Sequence, residues 1–184
     1  MSLPPEYLAA LGPLAKAFSA YEAATGNPPI LVGGAAAAIH TDGAFMSADF
    51  DVVAGNDVAF EEAMSCAGFV KDDKAVHGLN GWYHPKHPQF AVEQVSGRYF
   101  DGRGDRARCL KLSIGGNAAI VLPAIEDIIA DRLGQHEVVG KDASMLEQAK
   151  TLYRLAGDLD RTYLLRRIRE ESGNPALLRL SGEL

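Results

Sequence analysis

A chain of 184 residues with 47% hydrophobic and 23% charged residues has the composition of an ordinary globular protein, sized for one core domain or a domain with a small appendage. Its formal charge of −6, from 18 Lys and Arg against 24 Asp and Glu, argues against tight nonspecific binding to polynucleotides, which depends on basic surface. No apolar run approaches the roughly 20 residues of a membrane-spanning helix, and two cysteines, Cys66 and Cys109, give no disulfide framework.

The opening Met-Ser-Leu-Pro-Pro-Glu lacks the basic and apolar regions of a signal peptide, so reduced thiols and a cytoplasmic location are expected. The pattern predicts an amphipathic helix over 5–25, with prolines at its start and Gly26-Asn27-Pro28-Pro29 as its stop. Ile30-Leu31-Val32 reads as a strand turning at Gly33-Gly34 into an alanine-rich helix that Thr41-Asp42-Gly43 ends. A second strand is expected over 48–54, where Asp49 and Asp51, two apart, face the same way. Asn56 is placed to cap a helix running to about Ala67. Further strands are expected near 68–71, 81–84, 89–95, 108–114 and 118–122, the last two joined as a hairpin by Gly115-Gly116-Asn117. Helices are expected at about 123–134, 142–157 and 160–171. Strands first and helices after predict an α+β fold: a mixed sheet flanked by helices, with a small C-terminal helical bundle. The expected division is a sheet domain with its N-terminal helix over 1–122 and a helical region over 123–184 packed on it, with a cleft between them.

Two carboxylates on one strand face, with Cα atoms about 7 Å apart from two rises of roughly 3.3 Å, suit a hard cation. Mg²⁺ takes oxygen ligands and relies on one or two carboxylates plus phosphate oxygens. The glycine turn ahead of them supplies the rest, because its bare backbone N–H groups can approach a polyphosphate and the helix behind adds its positive end. Alone, Gly-Gly reads as a strand–helix turn and Asp-x-Asp as a surface strand; in this order they point to nucleotide chemistry.

Gly33-Gly34, a short helix and Ser47-Ala48-Asp49-Phe50-Asp51 together resemble the signature of the nucleotidyltransferase superfamily, the DNA polymerase β-like fold. The pattern is most similar to that of minimal and abortive-infection, AbiEii-type, bacterial nucleotidyltransferases. Leu122-Pro123-Ala124-Ile125-Glu126-Asp127-Ile128-Ile129-Ala130-Asp131-Arg132-Leu133 resembles that family's post-sheet helix, Pro-x-x-Glu-Asp-Leu-Ile-Ala-x-Lys-Leu, with Arg132 where lysine is common. The segment from Lys141 to Glu171 resembles the helical pair that follows, so the likeness covers roughly residues 28 to 170.

The resemblance implies that Asp49 and Asp51 are metal-binding and catalytic carboxylates, with Glu93 of Phe90-Ala91-Val92-Glu93-Gln94-Val95 as the third. An acidic residue inside such an apolar run is costly to bury without a metal or partner; otherwise it is an exposed residue of an edge strand. Relatives more often have Asp at that place, and many carry Arg where this chain has Ala44-Phe45-Met46 ahead of Ser47. Gly33, Gly34 and Ser47 would bind the nucleotide, with Arg132 as counter-charge to its phosphates. The implied chemistry is transfer of a nucleotidyl group from a nucleoside triphosphate to an acceptor hydroxyl, with two Mg²⁺ (or Mn²⁺) and pyrophosphate leaving. The acceptor is an RNA end, a protein or a small molecule, and the implied setting is a bacterial toxin–antitoxin pair with an antitoxin partner. The alternative is a catalytically degenerate protein of the same fold that binds nucleotide or a protein partner.

Charge divides unevenly along the chain. Residues 1–95 carry 4 Lys and Arg against 11 Asp and Glu, and residues 96–184 carry 14 against 13. Arg98, Arg103, Arg106, Arg108 and Lys111, around Gly97, Gly102 and Gly104, read as a mobile basic loop beside the Glu93 strand, able to contact triphosphate or RNA, or simply solvated. Glu126 and Asp127 are expected to favour the positive end of their helix. His77, His84 and His87 with Cys66 match no common zinc spacing.

Overall fold

The computed structural model describes residues 3–72, 81–116 and 118–179. Helix α1, Pro5–Thr25, buries Tyr7, Leu11, Leu14, Ala15, Phe18 and Tyr21 along one stripe and ends at Gly26, whose φ of 76° and N–H to Glu22 O close its last turn. Strand β1 (Ile30–Val32) leads directly into α2 (Gly33–His40), and β2 (Asp49–Val53) follows. Asn56 caps α3 (Asp57–Cys66) as expected, its Oδ1 accepting from Ala59 N at 3.0 Å. Then come β3 (Val70–Asp72), β4 (Gly81–His84) and β5 (His87–Ser96). A loop with 3-10 turns at Tyr99–Gly102 and Arg106–Arg108 joins β5 to β6 (Leu110–Gly115), which pairs with β7 (Ala118–Leu122). Asn117 of the expected hairpin turn lies outside the described residues. Helices α4 (Ile125–Val138), α5 (Ala143–Leu155) and α6 (Arg161–Glu170) complete the order.

Strands β1 to β5 form one mixed sheet in the order β1-β2-β5-β4-β3, in which β2 and β5 run parallel and the other neighbours antiparallel. The fold is therefore mixed α/β with helices on a mixed sheet, as the order of elements predicts. Phe50, Val52 and Val92 point into the main core, where Tyr7 of α1 meets the rings of Phe50 and Phe90 at 5.2 and 5.4 Å. Helix α2 is apolar on all sides and packs against both sheet and bundle; its four alanines are fully buried, and their small size lets it approach β2 and α4 together. Among the described residues, no helix is long and apolar enough to cross a membrane.

Two differences from the sequence expectation have clear causes. Helix α4 continues four residues past Gly134, where a stop was expected. That glycine serves packing: a side chain there would overlap the backbone carbonyl of Glu171, just beyond α6. Three cations of the basic loop expected to be mobile are instead tied to the protein's own acids. Arg103 pairs with Asp101 and Glu171 at 3.1 Å each, Arg108 with Asp160 at 2.8 Å and Lys111 with Glu22 at 3.1 Å.

Candidate nucleotide and metal site

The parallel pairing of β2 and β5 sets Asp49 opposite Ala91 and Asp51 opposite Glu93. Register partners on neighbouring strands, and residues two apart on one strand, point to the same face of a sheet. Asp49, Asp51 and Glu93 therefore share one face, opposite to Phe50, Val52 and Val92.

On its other side β2 meets β1, with Val32 opposite Asp51. The chain thus leaves β1 beside the carboxylate, and the Gly33-Gly34 turn passes over it. Gly33 has φ +65°, and a Cβ at this position would overlap Asp51 Oδ2; a Cβ on Gly34 would lie 3.0 Å from both Cβ and Oγ of Ser47. The two halves of the sequence pattern are one packed surface, and only glycine leaves room for it. Ser47 Oγ donates to Asp49 O at 3.1 Å and accepts from Asp49 N at 3.3 Å, fixing the entry into β2. The first turn of α2 takes no hydrogen bond from a capping side chain, which leaves its N–H groups for a ligand.

Helix α4 closes the site from the bundle side. Arg132 is 4% exposed and donates through Nε (3.0 Å) and Nη2 (2.5 Å) to Asp131 Oδ2, while Nη1 lies 3.4 Å from Met145 Sδ. Gln135 Nε2 donates to both oxygens of Asp131 at 3.1 and 3.2 Å. A cleft of about 420 Å³ lies between these parts, with Gly33, Gly34, Asp51, Arg98, Asp131 and Arg132 among its walls. Asp51 carries the strain of this arrangement. Partial burial, then Glu93 and Asp49, push its carboxyl up to about 6, against the pull of the Arg132 guanidinium.

The sequence expectations thus meet in space to different degrees. Gly33, Gly34, Asp51 and Arg132 wall one cleft, Ser47 abuts Gly34, and Asp49 and Glu93 join through strand periodicity and register. Among the described residues, no group of three His, Cys, Asp or Glu side chains is gathered closely enough to hold a metal ion. His84 and His87 hold their rings tilted with centroids 5.6 Å apart, and His77 lies outside the described residues.

No family model and no curated protein matches this chain. Among solved structures it is similar to an antigenic nucleotidyltransferase-like protein from Paracoccidioides brasiliensis, at 12% identity and a TM-score of 0.54, over 97% of this chain and 100% of that one. The fold is nucleotidyltransferase-like.

Within this nucleotidyltransferase-like fold, two features escape sequence reading. Asp131 enters the cleft as the acid that holds Arg132. Asp127, expected to act on its helix end, is fully buried and accepts from Arg167 Nε at 2.6 Å, Tyr99 Oη at 2.8 Å and Tyr163 Oη at 3.0 Å. It anchors α6 and the loop after β5 to α4. Glu126 Oε1 accepts from Asp160 N at 3.0 Å, ahead of α6. The sequence holds the three residues able to satisfy the buried Asp127 carboxylate, Tyr99, Tyr163 and Arg167, but nothing local links them to it.

Proposed function

We propose that this protein is a metal-dependent nucleotidyltransferase. The observation that carries the reading is the register of Asp51 with Glu93 on the face where Gly33 passes over the Asp51 carboxylate. Asp49, Asp51 and Glu93 share one face without being drawn together as a three-donor group among the described residues, and the carboxyl of Asp51, raised by burial and then by Glu93 and Asp49, is one that a hard cation between them would relieve. Mg²⁺ or Mn²⁺, up to two ions held by Asp49, Asp51 and Glu93, would supply neutralisation of phosphate oxygens and acidification of an acceptor hydroxyl.

The chain's own groups do the positioning. Backbone N–H groups at Gly33-Gly34 face the phosphates of a nucleoside triphosphate, and Ser47 keeps the Asp49 strand end in place. Arg132 adds positive charge from α4. The acceptor hydroxyl, on an RNA end, a protein or a small molecule, takes the nucleotidyl group, and pyrophosphate leaves. The resemblance in sequence pattern supports a bacterial, cytoplasmic setting as the toxin half of a toxin–antitoxin pair.

Pyrophosphate release tests the reading. With each of the four common nucleoside triphosphates, Mg²⁺ or Mn²⁺ and total RNA as acceptor, the protein should release pyrophosphate from at least one. Asp49→Ala/Asp51→Ala should lower the rate by at least about a hundredfold and Ser47→Ala by far less, because phosphoryl transfer rests on positioning and charge neutralisation. Absence of release with every nucleotide would contradict turnover. A second reading, a scaffold that binds nucleotide without turnover, is favoured by the lack of a gathered three-donor group among the described residues. Nucleotide binding without pyrophosphate release would select it.

A further inference from the structure

Arg98 stands five residues beyond Glu93, just past the end of β5, on the wall of the same cleft. Its backbone is held at both ends: its N–H donates to Ser96 Oγ at 3.0 Å, and Ser96 Oγ donates to its carbonyl at 3.0 Å. The loop that follows is equally fixed. Tyr99 is buried and donates to Asp127, Phe100 and Asp101 take left-handed φ of 44° and 54°, and Arg103 ties the turn to Glu171.

The Arg98 side chain is different. It is exposed and, among the described residues, makes no hydrogen bond or ion pair. The other guanidinium groups on the cleft are engaged, Arg132 by Asp131 and Arg103 by Asp101 and Glu171. The cleft's remaining charge is acidic, from Asp51 and from Asp49 and Glu93 beside it. A polyphosphate entering it meets repulsion unless a cation offsets it.

We propose that Arg98 binds the polyphosphate of a nucleoside triphosphate and sets the preference for triphosphate over monophosphate. This rests on the reading of the cleft as a nucleotide site. A held backbone with an uncommitted guanidinium fits the task. The planar fork can give two N–H bonds to phosphate oxygens, and the backbone that carries it is held before the ligand arrives.

Calorimetric titration of the whole protein in Mg²⁺ tests this, using the four nucleoside triphosphates, their monophosphates and inorganic tripolyphosphate. Wild type should bind at least one triphosphate and tripolyphosphate. Arg98→Ala should weaken both by about 10- to 100-fold, the range for charge-assisted bonds, and the monophosphate by less than about twofold. Arg98→Lys should regain part of the loss. Unliganded unfolding midpoints of both variants should stay near wild type, because the side chain is exposed and unpaired. Triphosphate affinity within about twofold of wild type in Arg98→Ala would overturn the assignment and leave the cleft's reading standing. Equal weakening of mono- and triphosphate would overturn it too, pointing to the nucleoside end. Wild type that binds none of the probes would overturn both this inference and the reading beneath it.

Discussion

Arg167→Ala should lower stability by about 3–5 kcal/mol, because it leaves a buried carboxylate without its cation. Both side chains of the Asp127–Arg167 pair are inaccessible, with Nε and Oδ1 2.6 Å apart. Arg167 also joins Glu170 at 2.7 Å and Glu171 at 2.6 Å, but these keep Arg166 and Arg103 as partners, so Asp127 is the acid its loss leaves without a cation. In a domain of this size the midpoint should fall by roughly 6–20 °C. Urea unfolding checks the value, and a loss below about 1 kcal/mol would contradict the account. Asp127→Asn/Arg167→Met should recover much of the deficit. It removes the unpaired charge while Asn can still accept from Tyr99 and Tyr163. The consequence extends to the cleft, because the same carboxylate holds Tyr99 and with it the loop that carries Arg98.

Asp51→Asn should give the opposite pair of effects: a more stable protein and a lost response to nucleotide. The Asp51 carboxyl is raised to about 6 from its ordinary 3.8, by burial first and then by Glu93 and Asp49. A group whose folded pKa is raised binds its proton more tightly in the native state, so its contribution to stability falls as pH rises between those two values. Above about pH 6 the ionised carboxylate is a net cost. The full shift corresponds to roughly 3 kcal/mol, and solvent screening of a partly open site reduces it to about 1 kcal/mol. Asparagine keeps the shape and removes the charge. The variant should therefore unfold about 2–4 °C above wild type at pH 7.5 and together with it near pH 3, where wild-type Asp51 is protonated as well. Protons and Mg²⁺ compete for the same oxygens, so any Mg²⁺-dependent stabilisation of wild type should weaken below pH 6. A variant less stable than wild type at pH 7.5 would show that the charge of Arg132 favours ionised Asp51 more than burial and its acidic neighbours oppose it.

What could be read from the sequence was local. Asn56 declares a cap because its side chain serves its own helix. Asp49 and Asp51 share a face by strand period alone, and Gly33-Gly34 marks a turn that needs φ above zero. The position of Glu93 was different. A run of alternating residues shows a strand, but the register that sets Glu93 beside Asp51 joins segments about forty residues apart, and only the resemblance named it. The basic loop failed for a related reason. Charge density is visible in the sequence, while the acids that engage those cations, Glu22, Asp160 and Glu171, lie 52 to 89 positions away. Asp127 obeys the helix-end rule by position, at the first turn of α4. Burial against Arg167 then gives it a role that no local rule contains.

The measurement that bears most directly on the central claim, that the Asp49–Asp51–Glu93 face with its glycine turn binds nucleotide through a metal, is thermal unfolding. It would use ATP, GTP, CTP and UTP, each with and without Mg²⁺, on wild type and on Asp49→Ala/Asp51→Ala. Ligand at about a hundred times its dissociation constant adds roughly 2.7 kcal/mol, which raises the midpoint of a domain this size by about 5–10 °C. The account predicts such a rise for at least one nucleotide, only with Mg²⁺ and only in wild type. No rise with any nucleotide, or an equal rise in the double variant, would contradict it.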